Sequence, residues 1–471
     1  MDKGQKHVAV CGAGPVGALC ACYLANRGYK VDLYEMREDI RTLDVVRGRS
    51  INMAVSCRGR EALKRIGLEE QITAHGIPMH ARMIHEHGGS RRPILYGTKN
   101  QYIMSIDRRF VNEALLTAAE KHDNVQLFFS HKLKSCNFHS GEAVFHNKHG
   151  EEVRTKVDLI VGADGAYSNV RKQMMKLNRF DYQQQYIPHG YMELNIPPSK
   201  DNQFAMEVNF LHIWPRHEYM LIALPNVDRS YTTTLFMSFD KFESITCEQE
   251  LLEFFQREFP DSLPLLGEKG LIKTFFSSTP QPMVSVKCHP YHVKGKAVLL
   301  GDAAHAMVPF YGQGMNCGLE DCIVLNEILD KYSDDFEKAL SEYTEVRHPD
   351  AVAICDLAMY NYIEMRSKVT SRLFLLRKKL DNFLYQLFPS SWVPLYTMVS
   401  FTRTPYHQCV LHRKWQDKML TLGLTTAAIT GGLACLSTVY TLGQQGYSLS
   451  DLHLPDAATA VLSQVHKWLH F

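Results

Sequence analysis

Two kinds of residue in this chain have types and spacings suited to chemistry: glycines that let a backbone close on a phosphate, and single charged side chains placed at the ends of apolar runs. The run His7-Val8-Ala9-Val10-Cys11 breaks into Gly12-Ala13-Gly14-Pro15-Val16-Gly17 and continues as a helical stretch to Asn26. Strand, G-x-G-x-x-G turn and helix, in that order, predict a dinucleotide site. Gly12 permits the tight turn, Gly14 lets the backbone approach a pyrophosphate, and Gly17 lets helix and strand pack closely. A second strand, Lys30 to Tyr34, ends at Glu35, which is placed to accept hydrogen bonds from an adenosine ribose, with Met36 and Arg37 following. Two more acids stand at strand ends. VDLIVG leads into Ala163-Asp164-Gly165, and Ala297-Val298-Leu299-Leu300 delivers Gly301-Asp302, then Gly312-Gln313-Gly314-Met315-Asn316 at the head of a helix from Cys317 to about Lys331.

These residues need a frame. Strands alternating with helices near the N-terminus predict an α/β fold with a Rossmann-type dinucleotide-binding domain. From residue 182 to 286 the pattern changes to EVNFLHIW, YMLIALP and YTTTLFMSF, which read as antiparallel strands of an inserted substrate domain. The expected organisation is a discontinuous domain over 1–180 and 287–350, with strands near 79–105 turned to the substrate side. A β-sheet domain covers 181–286, and a helical C-terminal region over 351–418 closes the site. Asp334 with Glu337 predicts a capping box for a helix ending near His348-Pro349, with a long helical region from Asp350 to about Leu387. Ser56 is an expected N-cap.

Composition bounds the rest. With 471 residues, a net charge of +2 and no general basic face, the chain is not built for nucleic acid. Twelve cysteines without a repeated framework predict free thiols in a reducing compartment. His85-Glu86-His87 and Cys288-His289-Pro290-Tyr291-His292 lack a four-ligand framework, so no metal is expected. Met419 to Leu442 is 24 residues without a charge, long enough to cross a bilayer core of about 30 Å; a tail, 443–471, follows. Upstream, Arg366 to Lys418 holds ten Lys/Arg against Asp381 and Asp417, which suits an anionic cytoplasmic leaflet. Phe388 to Thr402 is uncharged but too short to span, and reads as membrane-touching or as a lid on the catalytic body.

The three signals GAGPVG, ADG and GD, each at the end of an apolar strand and in this order, resemble the flavoprotein aromatic hydroxylases, the single-component group A monooxygenases. The resemblance implies tightly bound FAD. Gly12, Gly14, Val16, Gly17, Glu35, Met36, Arg37, Ala54, Arg108, Leu133 (near the adenine), Asp164, Asp302 (on the ribityl chain), Gly314, Met315 and Asn316 would hold it. No second fingerprint is present, so NADPH is expected as a transient co-substrate. ARMIH (81–85), YGT (96–98), GDAAHAMVPFYGQGMN (301–316), MYNYIEMRS (359–367) and the hydrophobic C-terminal tail resemble the kynurenine-hydroxylating members of the family. That closer likeness implies hydroxylation of L-kynurenine at ring position 3 by NADPH and O2 through a flavin C4a-hydroperoxide, giving 3-hydroxykynurenine. It also implies a mitochondrial outer membrane location with the catalytic part facing the cytosol.

By position, the substrate contacts fall on Arg82, Tyr96, Asn361 and Tyr396, with Phe236, Pro309 and Phe310 as apolar wall. The chemistry agrees: an α-amino acid with an aniline ring needs a cation for its carboxylate, and arginine pairs bidentately where lysine cannot. The aniline nitrogen already activates its ring, so no catalytic acid or base is assigned. Two alternatives are a membrane-bound lipid epoxidase resembling squalene monooxygenase, which a buried unpaired arginine would disfavour, and a non-catalytic flavoprotein scaffold.

Overall fold

The computed structural model describes residues 5–43, 52–97, 101–177 and 179–444, so most of the expected tail lies outside the described residues. They fall into two compact units, divided between Val410 and Leu411.

In the first unit a six-stranded sheet runs in the order His292–Val293, Ala297–Leu299, Leu159–Gly162, His7–Cys11, Lys30–Tyr34, Val125–Phe128. All neighbours are parallel except the His292–Val293 edge. Its central strands are buried on both faces, as their unbroken apolar runs require. The Pro15–Asn26 and Gly314–Lys331 helices pack together in the same core, which brings the two glycine-bearing turns to one end of the sheet. A second, seven-stranded sheet has the order Gln281–His289, Asp181–Ile196, Tyr231–Ser238, Tyr219–Pro225, Phe210–Arg216, Ala81–His85, Arg91–Leu95. The expected antiparallel strands are there, joined by one parallel pair in which Arg82 lies beside Leu211. Ala81–His85 is buried throughout, which carries the Arg82 side chain inward.

Two helical expectations are corrected. The helix expected to stop near His348-Pro349 runs unbroken from Phe336 to Arg366, with Asp335 rather than Asp334 as its cap. Arg347 and Asp350 flank the proline and are both locked into buried ion pairs, so tertiary contacts override the lost hydrogen bond. The long region after it is instead broken by a 3-10 turn at Lys368–Thr370, before a helix Arg372–Leu387. Ser56 stands at the N-cap position of Cys57–Lys64, but its hydroxyl caps nothing. Within 388–402, the helix Leu395–Phe401 buries Thr397, Met398, Val399 and Ser400 in the body.

The helix Tyr406–Gln444 contains the uncharged stretch. Its Tyr406–Thr438 portion has a mean hydropathy of 1.6 in its most apolar window and is long and apolar enough to cross a membrane.

Candidate functional site

A single cavity of about 570 Å³ joins the ends of the two sheets. Lining it at one end are Gly12, Gly14, Val16, Glu35, Met36, Arg37, Ala54, Arg108, Leu133, Asp164, Asp302, Gly314 and Met315. At the other are Arg82, Tyr96, Phe236, Pro309, Phe310 and Tyr396. Of the residues singled out above, Gly17, Asn316 and Asn361 do not line it.

The glycine turn meets the demands of a pyrophosphate cradle. Gly12 has φ +99° and an added Cβ would sit 2.4 Å from the Ala163 carbonyl oxygen, so only glycine fits. A Cβ on Gly17 would lie 1.8 Å from the Gly12 carbonyl oxygen, which is why this helix can approach its strand so closely. At Gly14 nothing stands within 4 Å, leaving the backbone bare toward the cavity. Glu35 accepts hydrogen bonds from the backbone of Ala13 (2.9 Å) and Arg37 (3.0 Å), which fixes its carboxylate at the cavity rim. Asp164 is bonded inward instead, accepting from Ser168 and from the backbone N–H groups of Asn169 (2.6 Å) and Val170 (3.1 Å).

Asp302 faces the cavity and has no hydrogen-bond partner among the described residues. Although its side chain is open to the cavity, desolvation by the surrounding protein raises its carboxyl above the usual range, and the Arg108 charge pulls it back down. The same pair of effects acts on Glu193 across the cavity. A carboxylate without a partner, aimed into a channel that begins at a bare glycine turn, fits a polyol chain carrying hydroxyl donors, and the donor set as a whole fits FAD. Asn316 serves this end from behind. Its amide donates to the Ala54 (2.7 Å) and Gly312 (2.6 Å) carbonyls and accepts from the Ser56 N–H (2.8 Å), clamping the loop it follows.

At the other end, the buried Arg82 guanidinium is paired with Glu364 at 2.9 Å and lies 4.6 Å from the Tyr396 ring centre. The Tyr396 ring stacks between Tyr96 (5.3 Å) and Tyr311 (5.5 Å). Phe236 and Phe310 meet at 4.9 Å as a wall, backed by Tyr362 stacked on Phe310 at 3.9 Å. Arg82 Nε and the Tyr96 hydroxyl are buried without a hydrogen-bond partner, two polar atoms left for a ligand. Asn361 is buried beside this end and is held from both sides: it donates to the Phe310 carbonyl at 2.7 Å and accepts from Arg82 at 3.4 Å.

Glu364 is the residue that sequence reasoning passed over; its place three residues after Asn361, on the same helix face, was the available signal. Lys378 lies off the cavity but within the field of Arg82. Burial first, then Arg82, lowers its amine to about 8.

Behind both ends runs a buried ionic network. Arg58 forms a two-pronged pair with Glu320 (2.9 and 2.8 Å), donates to the Val399 carbonyl (3.0 Å) and stacks on Tyr406 at 3.9 Å. Arg347 joins Glu320 (3.1 Å) to Asp321 (2.6 Å), and Asp321 also accepts from His305 and the Gly301 N–H, both at 2.7 Å. His305, Cys317 and Asp321 lie close enough to hold an ion, but Arg347, His305 and Gly301 already occupy both oxygens of Asp321.

Known proteins agree with this geometry. The FAD binding domain family model matches residues 5–358. A kynurenine 3-monooxygenase from Sus scrofa is 52% identical, over 94% of this chain and 93% of its own length. Those of Anopheles gambiae (51%; 98% and 95%) and Caenorhabditis elegans (46%; 92% and 98%) are similarly related. Among solved structures, 2-methyl-3-hydroxypyridine-5-carboxylic acid oxygenase has a TM-score of 0.63 at 21% identity, over 77% of this chain and 93% of its own, and shares the fold. PqsL of P. aeruginosa, solved with 2-aminobenzoylacetate, shares it too, with a TM-score of 0.63 at 19% identity over 77% and 97%. The chain belongs to the kynurenine 3-monooxygenase family of FAD-binding proteins.

Proposed function

We propose that this chain is an FAD-dependent monooxygenase that uses NADPH and O2 to hydroxylate L-kynurenine at ring position 3. The observation that carries the substrate reading is the buried Arg82 guanidinium, which lines the cavity that begins at the glycine turn and is paired with Glu364. Gly12, Gly14, Glu35, Arg108, Asp302 and the Gly314 helix start would hold FAD, which supplies the redox chemistry that activates oxygen. Arg82 binds the substrate carboxylate through Nε and the guanidinium edge that Glu364 leaves free. Glu364 pairs the other side of the Arg82 guanidinium and holds it in place. Tyr96 adds its hydroxyl, and Phe236, Pro309 and Phe310 hold the aniline ring and keep water out, so that orientation and dryness, not a protein base, are the chain's contribution.

Since Glu364 pairs Arg82, a buried guanidinium alone does not speak against a lipid substrate; the unpartnered Nε does, because an apolar ligand would leave it unsatisfied. NADPH consumption with and without kynurenine, with the product identified by mass, tests the reading. Kynurenine-dependent consumption with a product one oxygen heavier than kynurenine is expected. Consumption without dependence on kynurenine would overturn it, as would a product of unchanged mass.

The uncharged Met419–Leu442 stretch of the long apolar helix is read as an anchor, and the mitochondrial outer membrane, with the body in the cytosol, as its location. Removing residues from Met419 onward is expected to make the protein extractable from membranes by carbonate; a truncated protein that resists extraction would place the anchor upstream.

A further inference from the structure

The helix Arg372–Leu387 has two faces, and only one is accounted for by the body. Inward, Phe374 and Leu375 pack on the core around Tyr362 and Met398, and the buried Asp381 accepts from Arg377 (3.0 Å) and the Trp392 indole (3.1 Å). Outward, Leu373, Leu376, Leu380, Phe383 and Leu387 recur every three or four residues, so they form one ridge along the helix. They are 79%, 65%, 38%, 56% and 54% exposed, and Phe388 just beyond is 55% exposed. A continuous leucine and phenylalanine ridge of this length is not ordinary solvent-facing surface. Arg372 and Lys379 stand exposed along one edge of the ridge. Between Arg366 and Phe388 six Lys/Arg face a single acid, Asp381, whose charge is taken by Arg377.

We infer that this ridge docks on an anionic bilayer surface: the Arg372–Leu387 helix lies in the interface with Leu376 and Phe383 at its deepest point, and Arg372 and Lys379 against lipid phosphates. An apolar stripe bordered by cations is the composition of an interfacial helix, and the border charges select an anionic leaflet over a protein groove. This attachment is separate from the Met419–Leu442 anchor. It rests on the membrane reading above only in taking a bilayer as the occupant.

The test uses the full chain, with Cys247 and Cys435 changed to serine, loaded with FAD and reconstituted into phosphatidylcholine vesicles with or without phosphatidylserine. Spin labels are placed at Leu376→Cys or Phe383→Cys, with Asp201→Cys as a water-exposed reference, and flavin absorbance confirms folding of each variant. In phosphatidylserine vesicles the labels at 376 and 383 are expected to be several-fold more accessible to O2 than to a water-soluble nickel chelate, relative to position 201. Adding Arg372→Glu and Lys379→Glu is expected to abolish that protection. Labels at 376 and 383 as open to the chelate as position 201 would overturn the inference. Spin–spin broadening without lipid protection would overturn it too, and assign the ridge to a second copy. Carbonate extraction separates the two readings. Protein that stays in the vesicles with water-open labels fails the ridge and keeps the anchor; protein extracted by carbonate, after its labels were lipid-protected, fails the anchor and keeps the ridge.

Discussion

The two ends of one cavity are built by opposite means. At the cofactor end the demands fall on the backbone and on residues at strand ends: a positive φ at Gly12, a missing Cβ at Gly17, a bare Gly14, and acids one or two positions past an apolar run. At the substrate end every demand falls on a side chain, and the side chains come from separate elements. Arg82 is from a sheet strand, Glu364 and Asn361 from the Phe336–Arg366 helix, and Tyr396 from Leu395–Phe401. The first end is enforced by local sterics, the second by buried charges reaching across the fold. Damage to the first should therefore cost the cofactor, and damage to the second should cost the substrate while the cofactor stays.

The largest effect is expected at Gly17. Alanine there drives a Cβ into the Gly12 carbonyl oxygen, a backbone atom that cannot step aside. The strand–helix contact must open, at a cost of about 3 kcal/mol or more, and the ratio of flavin to protein absorbance is expected to fall at least tenfold. Gly14→Ala sharpens the point. Its Cβ meets nothing, so urea unfolding of the apoprotein should be unchanged while FAD binding weakens, because the methyl takes the room a pyrophosphate needs.

Next in size is Arg58→Met, which removes the clamp on the Leu395–Phe401 segment. Breaking a buried pair with Glu320 costs roughly 3 kcal/mol, read as a lower urea midpoint. Because Arg58 holds the Val399 carbonyl and Tyr406 rather than the glycine turn, KM for kynurenine should rise with flavin content retained. A loss of flavin in proportion to the loss of substrate binding would erase the distinction between the two ends.

Acid should find the substrate-side sheet first. His212 is buried in it, donates from Nε2 to the Glu207 carbonyl (2.8 Å) and sits 2.9 Å from His85. Desolvation lowers it from 6.5 to about 4. The unfolded chain therefore takes up a proton that the folded one refuses. Stability is full above pH 6.5 and drains as pH falls toward 4, by on the order of 2–3 kcal/mol. Urea midpoints across that window measure it, and His212→Asn should flatten the slope.

Arg82→Ala comes next, with KM for kynurenine raised at least tenfold, about 1.4 kcal/mol, at constant flavin content. Arg82→Lys should recover only part of it, since a single ammonium cannot replace the fork. Unchanged KM in the alanine variant would leave the carboxylate without its partner.

The same contrast explains what could be read from the chain beforehand. The glycine turn, Glu35, Asp302 and the Gly314 helix start are legible because each is written in a contiguous stretch with its strand or helix beside it. Glu364 shares the Asn361 helix face, but its pairing is not legible, because its partner Arg82 lies 282 residues away and an ion pair at that separation leaves no period in the sequence. Arg58 and Glu320, 262 residues apart, are hidden for the same reason. Pro349 misled in the other direction: a local rule ended the helix, and the ion pairs of Arg347 and Asp350 carried it through. For Asn361, helix spacing says which face the residue is on but not that its amide meets the Phe310 carbonyl and Arg82.

Tyr96→Phe is expected to have the smallest effect and divides the roles most finely. Its hydroxyl is buried outside hydrogen-bond geometry with any described residue, and burial, with Tyr396 beside it, raises it well above its usual range, so it is neutral in the free protein. Removing an unsatisfied buried hydroxyl relieves a desolvation cost, whereas the ring and its stack on Tyr396 remain. Folding stability should therefore hold or rise slightly. If that hydroxyl awaits the substrate carboxylate, the same change costs one hydrogen bond on binding, about 0.6 kcal/mol or a roughly threefold rise in KM. Stability and KM moving in opposite directions is the signature of a group whose partner arrives with the ligand. A fall in stability with KM unchanged would make Tyr96 a packing residue and leave the carboxylate to Arg82 alone.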